Sequence, residues 1–520
     1  MRRTDNIKEL GNNLFDIAII GGGITGAGIL REATNLGYRC VLSEKNDFAS
    51  GTSSKSAKLV HGGLRYLQYG KFALVREGLH ERHYLLKTFP HLVKPLQFLF
   101  PVFSSPLKFH FAMWAYKLLT LDKDLAKYRF LNKQQTIEDF PAIDQNNLKA
   151  SFIYYDAVTN DARLCNEIIA VAQQGGAIAL NYFEFLLVED KKDFFEIHCN
   201  DKISTVSNTF KAKYIINASG HWTDEVLEKL NYKNPRFGAP SKGVHLVLSR
   251  ERFPAEKAIL FPSYANDGRM MYAVPWENNS VVIGTTDTEK IDSLDKITIN
   301  ESDVTYILNS IQCFAPMLNI SEKDILGSFA GLRPLLREDA QSKDRTRDYR
   351  CWWSHKRVIN ILGGKLTSFH AMASTVLKKV QMKYPSPQNP IAKVNQQNSG
   401  NIKDYNLPEN LKIETLKKYG DESQKILAIA NENNAYSEYL RNDIRTIVAE
   451  IIYFTRFQNC QYLDDVLTRR LSLSYVLKNY QNIESIISRV AEIMAIELEW
   501  TKEEKENEIA NYRIAHNLIK

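Results

Sequence analysis

The chain has 520 residues, of which 44% are hydrophobic and 24% are charged. At about 100 to 200 residues per domain, this length allows about two to four domains with ample core, so a peptide or a small stapled module is excluded. The 67 Lys and Arg exceed the 60 Asp and Glu, which gives a formal net charge of +7. This mild excess suits anionic small molecules or acidic lipid headgroups, and no nucleic-acid partner is expected.

The six cysteines are widely spaced, with no CxxC pair and no Cys/His cluster at zinc spacing. Neither a disulfide framework nor a metal site is therefore expected, and a reducing compartment is the natural setting. Two arginines near the amino terminus are not followed by an apolar stretch, and no run reaches the roughly 18 apolar residues of a membrane span. We expect a protein that is neither secreted nor transmembrane, while peripheral membrane attachment stays open.

The first patterned elements are a strand over 15–20, a helix over 24–36 and a strand over 38–43. Gly21-x-Gly23-x-x-Gly26 lies between the first strand and the helix, where main chain can approach a pyrophosphate at the helix N-terminus. Glu44 ends the second strand, where a carboxylate can accept hydrogen bonds from a ribose 2′-hydroxyl. The combination predicts a dinucleotide site, although the glycines alone do not separate NAD from FAD.

A loop over 47–63 and a helix over 72–87 follow, and no Asp or Glu occurs from 82 to 121. Within this acid-free segment four apolar residues fall on one face of a helix, with Lys108 and Lys117 able to reach anionic headgroups. These four residues are Leu107, Phe111, Trp114 and Leu118. Two interpretations stay open: a core helix of the substrate domain, or contact with a membrane.

The middle of the chain returns to alternating strands and helices over 151–220, and short strands then predict an antiparallel sheet at 244–248, 270–274 and 281–285. A last strand and helix, 358–362 and 365–380, precede a polar stretch with three prolines that indicates a linker. Beyond the linker the pattern is helical, and no internal repeat of about 20 to 50 residues is present.

The stretch 15–82 closely resembles the amino-terminal region of FAD-dependent glycerol-3-phosphate dehydrogenases of the aerobic, quinone-linked type, and its run GTSSKSAKLVHGGLRYL is highly specific. The helical tail is also similar to that family, with LDDVLTRRLSL at 463–473. Between these regions further motifs follow the family's order: Asn160-Asp161-Ala162-Arg163-Leu164, Asn217-Ala218-Ser219-Gly220, Lys242-Gly243-Val244-His245, Ile283-Gly284-Thr285-Thr286-Asp287, Gly331-Leu332-Arg333-Pro334, Thr346-Arg347-Asp348-Tyr349 and Gly363-Gly364-Lys365-Leu366-Thr367.

The resemblance implies an α/β fold with three parts. A discontinuous, Rossmann-like FAD-binding domain would comprise 1–90, 151–235 and 340–384. An antiparallel-sheet substrate domain of the amino-acid-oxidase kind would comprise 91–150 and 236–339. A linker at 385–400 would lead to an all-α carboxy-terminal domain over 401–520.

The implied reaction is oxidation of sn-glycerol 3-phosphate to dihydroxyacetone phosphate, with hydride passing from C2 to flavin N5. FAD is the implied cofactor, since the flavin carries the redox chemistry. Electrons would leave to a membrane quinone, which places the enzyme peripherally on an anionic membrane surface, at the cytoplasmic face of the inner membrane. The oligomeric state is left open, with a homodimer as one alternative.

For the substrate, a phosphate dianion needs guanidinium or ammonium groups, because charge-assisted hydrogen bonds fix its position and orientation. The resemblance offers Arg65, Arg333 and Lys365, of which Lys365 could serve flavin N1 and O2 instead. A base near the C2 hydroxyl would be His245, His61 or neither. Tyr66 either donates a hydrogen bond to substrate or packs.

The cofactor would be held by fifteen residues of the matching motifs, and no metal is expected. They are Gly21, Gly23, Gly26, Glu44, Thr52, Ser53, Ser54, Lys58, Ala218, Gly220, Gly363, Gly364, Lys365, Leu366 and Thr367. Three departures from the family pattern stand out: His221 in place of Pro, Val244 in place of Ser, and Ser368-Phe369-His370 in place of Thr-Tyr-Arg. Because His370 stands where the family pattern has Arg, the role of that Arg does not carry over to this chain; a salt bridge beside the flavin is one interpretation of that role.

Three alternatives remain. A glycerol-3-phosphate oxidase would share the first half-reaction and pass electrons to O₂, but such oxidases usually carry an insertion for which this chain lacks room. An amine or amino-acid oxidase on the same fold would need a carboxylate clamp and gives no reason for the HGGLRY run. A non-enzymatic scaffold is disfavoured by the intact glycine and GGKLT motifs.

Overall fold

The computed structural model describes residues 3–289, 291–337, 348–387 and 405–518. The strands of these ranges, numbered in chain order, are β1 Leu14–Ile20, β2 Cys40–Ser43, β3 Leu59–Val60, β4 Val93–Val102, β5 Arg129–Asn132, β6 Ala150–Thr159, β7 Ile178–Leu180, β8 Phe183–Lys191, β9 Phe194–Asp201, β10 Val206–Asn217, β11 Ser241–Ser249, β12 Ala258–Pro262, β13 Met270–Trp276, β14 Ser280–Gly284, β15 Ile325–Arg333, β16 Tyr349–His355, β17 Val358–Gly363, β18 Tyr439–Arg441 and β19 Ile444–Ile447.

The α-helices of the same ranges are α1 Arg3–Asn12, α2 Ile24–Asn35, α3 Phe72–Thr88, α4 Leu107–Leu119, α5 Lys133–Asp139, α6 Asp161–Gln174, α7 Thr223–Lys229, α8 Glu301–Phe314, α9 Phe369–Gln381, α10 Glu409–Tyr419, α11 Ser423–Glu432, α12 Val448–Phe457, α13 Ile483–Leu498 and α14 Lys502–Ala515. Short 3-10 helices at Thr52–Ser54 and Leu64–Tyr69 and a π-helix at Asp465–Arg470 also bear on the site.

The first sheet has eight strands, with the order β16-β17-β10-β1-β2-β7 and with β9 and β8 added at β10. Strands β17, β10, β1, β2 and β7 are parallel to one another. Their apolar residues are buried on both faces, which is why they read as nearly continuous hydrophobic runs. One face packs on α2, α6 and α9, and the other includes Leu10 of α1 and Val226 of α7.

The second sheet has nine strands, with the order β15-β11-β14-β13-β12-β4-β6-β3 and with β5 on β6. Its pairs are antiparallel except for β4 and β12. Residues of α8 cover one face, and residues of α3 and α4 lie in the cluster on the other. The sheet therefore separates two apolar layers, and its β11 and β15 edge turns toward the first sheet's strand ends.

The chain crosses between the two sheets more often than the predicted bounds imply. Strand β6 pairs with β4 over ten residues and with β3, so both β3 and β6 belong to the second sheet. The predicted bounds, which the resemblance implies, put 1–90 and 151–235 in the FAD-binding part and so did not anticipate that β3 and β6 pair within the second sheet. Of the predicted linker, 388–400 lies outside the described residues, as do Thr346 and Arg347.

The carboxy-terminal part consists of α10 to α14 with a small hairpin, β18 and β19, between α11 and α12. Its core is apolar, with residues such as Ile451, Val490 and Met494 fully buried. This agrees with the predicted helical domain apart from the hairpin. Among the described helices, none combines the length and apolar character needed to cross a membrane.

Candidate active site

A cavity of about 440 Å³ begins where the carboxyl ends of β1, β2 and β10 meet. In open α/β sheets this edge is where ligands bind. The cavity continues to β11 and β15 of the second sheet, so residues of both sheets line it. Most of the predicted site residues therefore share one space, although they are hundreds of residues apart in sequence.

The glycine turn after β1 forms one wall. Gly21 has φ +110°, and a Cβ there would lie 2.7 Å from the carbonyl oxygen of Ala218. A Cβ on Gly26 would lie 1.9 Å from the Gly21 carbonyl oxygen. Gly26 therefore allows α2 to pack against the turn and does not itself line the cavity, whereas Gly21 and Gly23 do. The N-terminus of α2 consequently faces the cavity, as a pyrophosphate site requires.

Glu44 lies beside this turn at the end of β2. Its carboxylate accepts a hydrogen bond from the Gly22 N–H at 2.7 Å and another from the Asn46 N–H at 2.9 Å. Desolvation by the surrounding protein raises the pKa of Glu44 above its ordinary value, although these backbone hydrogen bonds oppose the shift. The oxygens line the cavity at the position from which a ribose diol can donate hydrogen bonds.

Of the residues predicted to hold the cofactor in the 52–58 loop, some line the cavity and others do not. Thr52 and Ser53 line the cavity, and the Ser53 hydroxyl accepts from the Ile24 N–H at 2.8 Å. Ser54 and Lys58 do not line it. The Lys58 ammonium is buried, donates to the Ser54 carbonyl at 2.7 Å and pairs with Asp161 at 2.8 Å. Lys58 thus supports the loop from behind.

The remaining predicted cofactor residues come from two other strand ends. Ala218 and Gly220 follow β10, and the segment from Gly363 to Thr367 follows β17, and all line the cavity. Ala218 is fixed to the glycine turn, since its N–H donates to the Ile20 carbonyl at 2.9 Å. A narrow, largely main-chain wall built from several strand ends fits a dinucleotide.

Arg333 ends β15 and faces the cavity from the second sheet. Its guanidinium donates to the Asp287 carboxylate at 3.1 Å, to the Thr285 hydroxyl at 2.8 Å and to the Thr286 carbonyl at 2.9 Å. These partners hold the side chain in one orientation. Asp287 also balances part of its charge, which sequence reasoning missed although the GTTD motif contains this aspartate.

His245 lies on β11, the strand that pairs with β15, directly opposite Phe329, and is 4% exposed. Its ring stacks on Phe329 with 4.9 Å between centroids. Among the described residues, neither ring nitrogen has a hydrogen-bond partner. Burial, and then the charges of Arg333 and Lys58, lower the pKa of His245 well below its ordinary value. The imidazole is therefore neutral near pH 7, and the same shift makes it a weaker proton acceptor than an ordinary histidine.

The other predicted substrate residues lie at the HGGLRY turn and at β17. His61 and Tyr66 line the cavity, and the Lys365 ammonium lies 4.1 Å from the centroid of the Tyr66 ring. Arg65 belongs to the short 3-10 helix Leu64–Tyr69, but its side chain lies outside the described residues. The HGGLRY turn and the GGKLT segment thus meet at the cavity.

Two further groups line the cavity that sequence reasoning did not name. Lys55 lies within the GTSSKS run, and burial lowers its pKa. Lys45 pairs with Asp295 at 2.6 Å, and the Trp222 indole donates to the same carboxylate at 3.0 Å. The position of Lys55 in a recognised motif could have indicated it, whereas nothing in the sequence links residue 45 to residue 295.

The departures from the family pattern also have places in the structure. His221 is buried in the cavity wall, with Nδ1 3.3 Å from the Thr52 hydroxyl, and burial lowers its pKa to about 4. His370 stacks on Tyr84 with 4.1 Å between centroids, and its Nδ1 lies 3.3 Å from the Glu81 carboxylate. No cluster of His, Cys, Asp and Glu suited to a metal ion occurs within the described ranges.

Comparison with known proteins agrees with this architecture. The family described as FAD dependent oxidoreductase matches residues 16–373, and the C-terminal domain of alpha-glycerophosphate oxidase matches residues 378–505. The fold and the cavity thus define a flavin-dependent oxidoreductase with an added helical domain. The predicted fold class is confirmed, and so is FAD as the cofactor.

Named relatives narrow the class. An aerobic glycerol-3-phosphate dehydrogenase of Staphylococcus epidermidis is 31% identical, over 97% of this chain and 95% of its own. A probable mitochondrial glycerol-3-phosphate dehydrogenase of Dictyostelium discoideum is 31% identical, over 98% of this chain and 85% of its own. The X-ray structure of the glycerol-3-phosphate dehydrogenase from Bacillus halodurans complexed with FAD is similar with a TM-score of 0.80 and 28% identity, over 99% and 97% of the two chains. The chain belongs to the FAD-dependent glycerol-3-phosphate dehydrogenase family.

Proposed function

We propose that the chain oxidises sn-glycerol 3-phosphate to dihydroxyacetone phosphate and passes the electrons to a membrane quinone. The observation that carries the proposal is the single cavity that joins the glycine turn and Glu44 to His245, Arg333 and Lys365. A cofactor held at the first sheet would meet a small anionic substrate held at the second. The relatives named above are called glycerol-3-phosphate dehydrogenases, which supports the substrate and the dehydrogenation.

The residues present suit FAD. Glu44 would accept from the ribose hydroxyls, and Gly21, Gly23 and the N-terminus of α2 would face the pyrophosphate. When bound, FAD supplies the acceptor for the two electrons of the alcohol. The protein must hold the substrate in a fixed position against the flavin and remove the proton of the C2 hydroxyl.

Arg333 and Lys365 would bind the phosphate of the substrate, together with Arg65. Arg333 is pre-oriented by Asp287, Thr285 and Thr286, which lowers the cost of fixing it when the ligand arrives. Because Asp287 offsets its charge, a dianion would also need the second cation, and Lys365 lines the same cavity. Two cations from different sheets would then bracket the phosphate.

His245 is our candidate for the base that takes the proton of the C2 hydroxyl. It is neutral and buried, it lines the cavity, and the charge of Arg333 is close enough to lower its pKa. A phosphate held by Arg333 would bring the rest of the small substrate within reach of the imidazole. His61, on the opposite wall, is the alternative base, and Tyr66 would donate a hydrogen bond to substrate.

Peripheral attachment to an anionic membrane, at the cytoplasmic face, is part of the proposal. The stripe on α4 is exposed: Leu107 by 77%, Phe111 by 65%, Trp114 by 51% and Leu118 by 64%. The opposite side of α4 is buried through Met113 and Tyr116. The exposed stripe is thus not part of the described core, which favours membrane contact over the core-helix interpretation.

The helix also lies close to the active-site turn. The Tyr116 hydroxyl accepts from the Gly62 N–H at 3.2 Å and donates to Asp156 at 2.7 Å. A membrane at α4 would therefore lie behind the turn that carries His61, where a lipid-dissolved quinone can approach the flavin end of the cavity. This arrangement favours quinone as the acceptor over O₂.

Anaerobic reduction of the purified flavoprotein tests the reaction. Glycerol 3-phosphate should bleach the oxidised flavin absorbance, and a quinone analogue should restore it faster than O₂ does. Bleaching followed by faster reoxidation with O₂ would favour the oxidase. Bleaching by an amine or amino acid, and not by glycerol 3-phosphate, would favour an amine or amino-acid oxidase.

Membrane contact is tested by charge reversal on α4. The double variant Lys108→Glu/Lys117→Glu should no longer sediment with anionic liposomes at moderate salt, since each basic residue near such a surface contributes about 1 kcal/mol. The matched control is Lys233→Glu/Lys502→Glu, which reverses two exposed lysines on other elements and should sediment like the wild type. A wild type that stays in solution with these liposomes would refute the attachment.

A further inference from the structure

The π-helix Asp465–Arg470 of the helical domain carries two adjacent arginines that the reaction does not use. We call Arg469 and Arg470 the arginine pair. Both are buried, with 7% and 1% exposure, and they come from the LDDVLTRRLSL run. Their partner lies in the nucleotide-binding part of the chain, more than 400 residues away.

That partner is Asp47, which is fully buried. Arg470 binds its carboxylate through two nitrogens, at 2.7 Å and 3.2 Å, and the Arg469 Nε donates to it at 2.6 Å. The Asn181 side chain adds a hydrogen bond at 3.0 Å. Burial alone would raise the pKa of Asp47, but Arg470 and Arg469 more than offset it, so the pKa is lowered and the carboxylate stays charged.

Other charges around the arginine pair come from its own segment and from α14. Asp464 and Asp465 both contact Arg469, the Tyr182 hydroxyl donates to Asp465 at 2.6 Å, and His516 lies 2.9 Å from Asp464. These groups orient the guanidiniums toward Asp47. A buried ionic cluster of this kind gives little net stability, because desolvation offsets the attraction. Its main effect is to fix the positions of the charged side chains relative to one another.

Asp47 lies in the middle of the loop that forms the cofactor wall. Three residues before it is Glu44, whose carboxylate is bonded to the glycine turn. Two residues after it the Ala49 N–H donates to the Gly22 carbonyl at 3.0 Å, and the loop then continues to Thr52 and Ser53. A displacement of Asp47 would therefore move both the acid that faces the ribose and the segment that faces the pyrophosphate.

We infer that Arg470, assisted by Arg469, is a positioning residue for FAD: it holds Asp47 and thereby fixes the loop from Glu44 to Ser53. Docking of the helical domain and binding of FAD are then coupled, so that each strengthens the other. The inference rests on the placement of FAD at the glycine turn and Glu44. It gives the helical domain a role in cofactor binding.

The test compares the FAD affinity of apoprotein variants, measured by quenching of flavin fluorescence on titration. Arg470→Met should raise the Kd for FAD about 10- to 100-fold, the range of typical coupling between linked sites. Arg470→Lys should recover part of the loss, because it keeps the charge without the two-nitrogen contact. Once saturated with FAD, the variants should show the wild-type KM for glycerol 3-phosphate.

A double variant separates positioning from general loss of stability. If Arg470 acts through Asp47, Asp47→Asn/Arg470→Met should raise the Kd no more than either single change. The matched control is Glu450→Gln, which disturbs a buried carboxylate within the helical domain, where it accepts from the Ile447 N–H and contacts Lys418. It should lower the melting temperature of the apoprotein and leave the Kd for FAD unchanged.

A Kd for Arg470→Met within about twofold of wild type would overturn the inference, since coupled sites typically differ by about fivefold or more. Additive effects of Asp47→Asn and Arg470→Met would do so as well. Should Arg470→Met fail to fold, Arg470→Lys and Asp47→Asn decide the question by the same titration. Because the readout is FAD affinity and not turnover, failure here is distinct from failure of the proposed reaction.

Discussion

The nucleotide end and the substrate end of the cavity differ in the kind of groups that line them. Around Gly21 and Glu44 the wall contains the glycine turn, which is fixed by close main-chain packing and by the hydrogen bond from the Gly22 N–H to the Glu44 carboxylate. Around His245 and Arg333 the wall consists of charged and aromatic side chains from separate strands of the second sheet. The first end is defined by local geometry and the second by which charges face one another.

The difference shows in how each end responds to change. At Gly21 and Gly26 an added Cβ would meet main chain, so a steric change there must displace the backbone of the glycine turn. A side-chain wall tolerates substitution of shape more readily, but its chemistry depends on neighbouring charges: Asp287 pairs with Arg333, and the Lys58 cation lowers the pKa of His245. We therefore expect steric changes to act most strongly at the nucleotide end and charge changes at the substrate end.

The largest effect is expected from Gly26→Ala at the nucleotide end. The added Cβ would lie 1.9 Å from the Gly21 carbonyl oxygen, so α2 and the turn must separate. Overpacking usually costs about 1 to 3 kcal/mol, and a main-chain contact this close belongs at or above the upper limit. The purified variant should contain little flavin, measured as visible absorbance per protein.

The matched control is Gly11→Ala in α1, where a Cβ would have no neighbour within 4 Å. It should keep the wild-type flavin content. Full flavin occupancy in Gly26→Ala would contradict the view that main-chain contact defines this end of the cavity.

The same contrast explains what the sequence could predict. The strand, glycine turn and Glu44 lie within 30 residues of one another, and their spacing alone indicated a dinucleotide site. His245, Arg333 and Lys365 were named through resemblance only, since no local pattern links a residue of β11, the end of β15 and the segment after β17. The structure brings them to one cavity, while their roles stay predictions.

Long-range pairing accounts for what the sequence did not predict. Lys58 was expected at the cofactor and instead pairs with Asp161, 103 residues away. The sequence did not predict that β6 belongs to the second sheet, because its ten-residue pairing with β4 cannot be recognised in either segment alone. Arg470 and Asp47, 423 residues apart, show the same limit.

At the substrate end, Arg333→Ala should lower kcat/KM for glycerol 3-phosphate about 10- to 150-fold, because a charged hydrogen-bonding group contributes about 1.5 to 3 kcal/mol. Flavin content should not change, since Arg333 lies on the second sheet. Arg333→Lys should recover only part of the loss, because an ammonium cannot reproduce the guanidinium fork that Asp287 and Thr285 hold.

Glycerol, which lacks the phosphate, is the control substrate. If Arg333 binds the phosphate, the slow turnover of glycerol should be nearly indifferent to the substitution. Equal losses for both substrates would instead assign Arg333 to the scaffold, where its bond to the Thr286 carbonyl would be its main role.

An effect that appears only at acid pH is expected in the stability of the protein, through two buried histidines that line the cavity. Burial lowers the pKa of His221 to about 4, and burial followed by the charges of Arg333 and Lys58 lowers the pKa of His245. In the unfolded chain both titrate near about 6.5, so below that pH the unfolded state binds more protons than the folded state. The free energy of unfolding should then fall by up to about 1.4 kcal/mol per pH unit for each histidine, and for His221 this continues to about pH 4.

Replacing the titrating groups should remove this slope, because neither position then binds a proton; any loss of ring packing, such as the stack of His245 on Phe329, lowers stability to the same extent at each pH. We expect the melting temperature of His221→Gln/His245→Gln to fall less than that of the wild type as the pH is lowered from about 7 to about 5, with the exposed His355→Gln behaving like the wild type. The FAD-free protein is the form to measure, since a bound cofactor adds its own pH dependence. Parallel curves for the wild type and the double variant would mean that the two imidazoles are as easily protonated in the folded chain as in the unfolded one, and the neutral state assigned to His245 would then have to be abandoned.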